Sequence, residues 1–103
     1  MNTDFSIMPL SKNQIKSLKS QAHQLKPVVM VGQNGLKDSI FEELEIALDF
    51  HELIKVKIAA DKEEREVITE DLVHSSKAEM VQHIGQMIVL FRRNPKKPKI
   101  ILT

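Results

Sequence analysis

Gly32 and Gly35 bracket Gln33-Asn34, directly after the apolar run Val28-Val29-Met30-Val31 and just before Lys37. A strand that ends in such a glycine pair and leads into a helix presents backbone N–H groups at the helix start. The aligned peptide dipoles there favour an anion. Glycines at the bend leave no Cβ between those amides and an approaching phosphate. The loop has no third glycine, and no acidic residue stands where a dinucleotide fold would bind ribose. It also lacks the Gly-Lys-Ser/Thr ending of a nucleoside-triphosphate loop. A clamp on a nucleic-acid backbone needs only what is present.

Cations surround the motif. Lys12, Lys16, Lys19, His23 and Lys26 recur at helical spacing upstream, Lys37 follows the loop, and Lys55 and Lys57 alternate with Ile54, Val56 and Ile58. Up to residue 37 five lysines face Asp4 alone, residues 38–71 hold 12 acids against four cations, and from Arg92 onward five cations meet no acid. The net charge of +1 therefore hides basic ends and an acidic middle, the pattern of a molecule with one polyanion-facing side. The candidate contacts are Gly32, Gln33, Asn34 and Gly35, with Lys12, Lys16, Lys19, His23, Lys26, Lys37, Lys55, Lys57, Arg92 and Arg93. For His23 two readings stand, packing near Leu25 or a polar contact to the ligand. The aromatics are Phe5, Phe41, Phe50 and Phe91. They offer no platform of exposed rings, so phosphate contact and shape should dominate over base stacking.

The elements that must position these groups follow from periodicity. Ser11 caps a helix expected to run to about Lys26, where Pro27 stops it. Ile15, Leu18, Ala22 and Leu25 form its apolar stripe, with the lysines beside it. Like charges one turn apart weaken a helix by roughly 0.2–0.5 kcal/mol per pair, and this helix has no acid to relieve them. Binding is a reason to keep them. Val28 to Val31 predicts a strand covered on both faces. A second helix, about Asp38 to Phe50, turns Ile40, Phe41, Leu44, Ala47 and Leu48 inward and Glu42, Glu43, Glu45 and Asp49 outward. Leu53 to Ile58 reads as a strand with one wet, cationic face.

Asp61 and Glu64 resemble a capping box opening a third helix through Val67, Ile68 and Leu72. Residues 78–84 fit either a helix tail or a strand, and Gly85 before Met87–Phe91 favours a hairpin of strands 79–84 and 86–91. Arg92 to Pro98 reads as an exposed basic loop and Ile100 to Leu102 as a short extra strand. The fold class is α/β, in the order α-β-α-β-α-β-β, with a mixed four-stranded sheet packed with three helices. One domain spans 1–103, with a core of about 10–92 and a basic tail over 92–103.

Several function classes fall away. The absence of cysteine excludes disulfides and thiolate metal sites. His23, His51, His74 and His83 have no metal-ligand spacing, and no Ser-His-acid set is visible, so no enzyme, metal or cofactor is expected. His51-Glu52 reads as local capping at a helix–strand junction. No run spans a bilayer and no signal peptide begins the chain, which points to a cytoplasmic protein with no membrane or small-molecule partner. The rival reading is a protein-interaction module that offers the acidic second helix to a basic partner.

Ala22-His23-Gln24-Leu25-Lys26-Pro27-Val28-Val29, Gly32-Gln33-Asn34-Gly35-Leu36 and His51-Glu52-Leu53-Ile54-Lys55-Val56-Lys57-Ile58 resemble the YhbY family. These are the bacterial single-domain members of the CRM group (chloroplast RNA splicing and ribosome maturation). Val81-Gln82, Ile84-Gly85 and Val89-Leu90-Phe91-Arg92 continue the likeness, which runs from Leu10 to Arg92. It implies an RNA-binding domain related in fold to the C-terminal domain of bacterial translation initiation factor three. It also implies ribosomal RNA, in precursors of the large subunit, as the partner. It supports the hairpin over a longer third helix. Lys37 stands where many members carry a threonine that would cap the second helix, and Phe91 replaces a common tyrosine.

Overall fold

The computed structural model describes residues 10–32 and 34–102. The elements are α1 (Lys12–Ala22), β1 (Pro27–Val31), α2 (Asp38–His51), β2 (Leu53–Ile58), α3 (Lys62–Ser76), β3 (Glu79–Ile84) and β4 (Met87–Phe91). The expected order and the mixed sheet are present. Its strand order is β1-β2-β4-β3, with β1 parallel to β2 and the other two pairings antiparallel. Parallel β1 and β2 need a crossover, and α2 supplies it. Gly85, at φ 55°, turns the β3–β4 hairpin in a conformation that favours glycine.

Local chemistry sets the helix ends. The Ser11 side chain accepts from the Gln14 amide while the Gln14 side chain accepts from the Ser11 amide, a reciprocal cap for α1. The Asp61 carboxylate accepts from the Glu64 amide at 2.9 Å and opens α3. α1 ends at Ala22 with His23 as its C-cap, short of the expected Lys26. Pro27 disfavours helix at the residue before it, and the chain uses the intervening residues to turn from α1 into β1.

Two apolar clusters lie on opposite faces of the sheet. On one, Val29, Val31, Ile54, Val56, Ile58, Ile88 and Leu90 meet Leu44 and Leu48 of α2 and Ile68 and Leu72 of α3. On the other, Leu18 and Ala22 of α1 pack on Leu53, Val81, Val89 and Phe91, with Leu10, Ile100 and Leu102 at the margin. A single short helix cannot cover that second face. β1 therefore corrects the sequence reading: it is an edge strand, wet on one side, where Val28 is 47% and Met30 59% exposed. Val67, through which the third helix is expected to run, lies in α3 with its side chain exposed. Ile100 to Leu102 forms no strand; Ile100 and Leu102 instead pack beside α1.

Candidate nucleic-acid interface

The Gly35 amide donates to the Gly32 carbonyl at 3.0 Å and closes a turn at the end of β1. Gly35 needs to be glycine for the protein's own sake, because its φ of 73° is strained for any side chain. Gly32 does not. Its φ is not positive, and among the described residues no atom beyond its own chain neighbours lies within 4 Å of where a Cβ would stand. Asn34 is exposed, while Gln33 lies outside the described residues. α2 then begins with Lys37 at its N-cap, in extended backbone and with no side-chain hydrogen bond to the first turn. Its leading N–H groups therefore lack the capping oxygen that α1 and α3 both have. Asp38, in the first turn, sets one negative charge against the same dipole.

The loop sits on an electrostatic boundary. Towards α3, a groove of about 460 Å³ runs past Gly35 and Leu36 and is edged by Glu63, Glu64 and Asp71. An anion arriving from that side is repelled. On the α1 side of the sheet, Met30, Lys57, Met87 and Ile84 stand in register across the four strands. Lys55 shares this face with Lys57, two residues along the same strand. Its Nζ donates to the His23 carbonyl at 3.3 Å, tying the end of α1 to β2. Between α1 and the sheet lies a second groove, about 670 Å³, lined by Lys19, His23 and Lys55 among others.

Lys19, His23, Lys55 and Lys57 thus share one face, joined at its border by the glycine turn. Lys12 and Lys16 continue along α1, Lys26 lies in the connection to β1, and Lys37 stands at the start of α2; all four are exposed. His23 is exposed too, at the C-cap of α1.

Arg92 and Arg93 require a correction. Expected in an exposed basic loop free of acids, they are half-buried and form the three ion pairs found among the described residues. Arg92 reaches Glu45 at 2.9 Å and Asp49 at 2.8 Å on α2, and donates to the Ser76 carbonyl. Arg93 reaches Glu52 at 3.0 Å. The compensating acids are more than 40 positions away in the chain, which is why local composition hid them.

Glu52 is the residue that sequence reasoning undervalued. Read as a local cap, it does sit at the C-cap of α2, at φ 64°, with its amide donating to the Leu48 carbonyl. Its fully buried carboxylate does more, accepting from the amides of Asn94, Lys99 and Ile100 and from Arg93. Burial works against the charge, but the amides of Asn94, Ile100 and Lys99 and the Arg93 guanidinium outweigh it and hold the carboxyl below its ordinary value. Glu52 thus helps to fold the basic tail back, together with the Arg93 and Gln21 side chains, which donate to the Ile100 and Ile101 carbonyls. Lys99, so held, lies with its Nζ 3.7 Å from the ring centre of Phe50. The signal in the sequence was an acid set between Phe50 and the apolar strand that begins at Leu53, a costly place for an unpaired charge.

Three helices on a mixed four-stranded sheet, with a glycine turn bordering a lysine-bearing face, define a small α/β protein with one cationic side. The chain belongs to the CRS1 / YhbY (CRM) domain family, whose model matches residues 10–92. It is 45% identical over 93 residues to a probable RNA-binding protein of Pseudomonas aeruginosa, covering 89% of each chain. An RNA-binding protein of Haemophilus influenzae is 50% identical over 84 residues, 81% of this chain and 85% of that one. The solution structure of a hypothetical protein from Staphylococcus aureus superposes with a TM-score of 0.78 at 29% identity, covering 92% of this chain and all of the other. Among the described residues no helix is long and apolar enough to cross a membrane.

Proposed function

We propose that this chain is a single-domain, non-catalytic RNA-binding protein of the cytoplasm that grips the RNA backbone at Gly32–Gly35 and acts in assembly of the large ribosomal subunit. Gly32 is the observation that carries the reading. The described protein makes no demand for a glycine there, whereas a sugar–phosphate chain laid over the amides of the turn does. Gly32, Gln33, Asn34 and Gly35 form the clamp, and Lys12, Lys16, Lys19, His23, Lys26, Lys37, Lys55 and Lys57 extend the contact. Glu63, Glu64 and Asp71 on the opposite flank direct the strand over the sheet instead. The names of the relatives support RNA as the ligand, and the YhbY resemblance supports ribosomal RNA in large-subunit precursors.

The test replaces Gln33 and Asn34 with aspartates. Binding to ribosomal RNA fragments should be abolished while the circular dichroism stays that of the wild type; a double variant that binds normally overturns the clamp. Wild-type affinity should fall with salt by about 0.7–0.9 log units per log unit of salt for each phosphate neutralised. Negligible RNA binding beside tight capture of a basic protein would transfer the function to α2. Against that rival, Glu45 and Asp49 of α2 are already occupied by Arg92.

A further inference from the structure

The groove between α1 and the sheet is unlike a surface made only for phosphates. Ile84 is 63% exposed and Met87 half-buried beside it, on a sheet face where solvent-facing positions are ordinarily polar. Gln24 and Gln82 stand on its walls, with Lys19 and His23 also lining it. Each group asks for something different of a ligand. An apolar floor of isoleucine and polarisable methionine suits a flat apolar face. Side-chain amides suit an edge that both donates and accepts hydrogen bonds. A lysine above them suits a negative charge a short distance away. An unstacked nucleotide carries all three, whereas a duplex hides its base faces in the stack.

Building on the RNA-binding reading, we propose that this groove receives an unpaired nucleobase of the same strand whose backbone the Gly32–Gly35 turn holds. The register fits the two sites to one strand. Met30, the second residue before Gly32, pairs with Lys57, and Lys57 pairs with Met87. With strands about 4.8 Å apart, the floor of the groove begins roughly 10 Å from β1. The exposed Met30 adds apolar surface beside the turn, and Lys57 stands between it and Met87, where the connecting phosphate would pass. The ligand class is therefore RNA with a bulged or single-stranded nucleotide rather than a continuous helix. The cationic rim and the acids on the far side of the turn set the direction in which it lies. No aromatic platform is needed, which is why the short supply of aromatic residues does not argue against base contact here.

The experiment measures fluorescence anisotropy with two RNA hairpins of equal phosphate count, one fully paired and one with a single unpaired nucleotide. The wild type should prefer the second by about tenfold, the order that one hydrogen-bonded base-edge contact provides. Substituting Gln82→Ala with Ile84→Ala should narrow that ratio to within about twofold, whereas the Gln33→Asp, Asn34→Asp variant should weaken both RNAs together. Equal wild-type affinity for the two hairpins, or an undiminished ratio in the groove variant, overturns the inference and leaves the backbone clamp standing. Failure of the wild type to bind either RNA, with capture of an acidic peptide instead, overturns both.

Discussion

α2 is bounded by two reversals of the chain that handle exposed backbone in opposite ways. Where the helix begins, the Gly32–Gly35 turn stands open, and Lys37 leaves the first turn without a side-chain cap. Where it ends, Glu52 holds a positive φ and its carboxylate takes three backbone amides and an arginine in a site closed to water. One junction saturates its donors and acceptors inside the protein and becomes a structural joint. The other leaves the first N–H groups of α2 without a side-chain cap, which is the condition for holding something else. Charge alone does not separate the two, since cations lie near both. Arg92 and Arg93 are neutralised by α2 acids, whereas Lys55 and Lys57 stand among groups that offer them no carboxylate partner among the described residues.

Removing the sealed joint should produce the largest effect. Glu52→Ala leaves Arg93 and three amides without their acceptor, and the expected loss is about 3–5 kcal/mol of stability, read from urea midpoints. That is a large share of the total for a chain this size. The same group makes acid a probe. Because its native pKa lies below the ordinary 4.5, the stabilisation is complete above that value and is lost as pH falls through the lower native one. Urea midpoints of the wild type should therefore fall more steeply below pH 4.5 than those of Glu52→Gln, and parallel curves would show that the joint is not electrostatic.

At the open junction the balance reverses. Gly32→Ala should cost about tenfold in RNA affinity, near 1.4 kcal/mol, with an unchanged thermal midpoint. A fall in the midpoint would mean that Gly32 serves the fold after all. The smallest effect tests the missing cap. Lys37→Ser supplies a hydroxyl to the first turn of α2 and should raise stability by about 1 kcal/mol, read by urea denaturation. No gain would show that the helix start is already satisfied.

Much of this contrast could be read from the chain before any fold was known, but unevenly. Ser11, Asp61 and the apolar periodicities located all three helices, and Gly85 located the hairpin, because caps and turns act over three or four residues. The glycine pair and the lysines of α1 and β2 were legible for the same reason. β1 misled, since an unbroken apolar run looks identical whether a second layer covers it or not; only the reach of α1 decides that Val28 and Met30 stay wet. Arg92 and Arg93 misled because their partners on α2 are remote in sequence. The groove floor could not be seen at all. Ile84 and Met87 come from two strands and Lys19 and His23 from a helix far upstream, so no window of the sequence contains them together.

The division of charge across the sheet has a kinetic consequence. The acids of α2 and α3 lie behind one face and the lysines of α1 and β2 in front of the other, so the molecule behaves as a dipole and not as a body with one unit of charge. Near an extended polyanion such a dipole feels a torque before it touches, and collisions that present the rear are turned away. Under the proposed function, orientation is thereby biased during approach, with the lysine face leading.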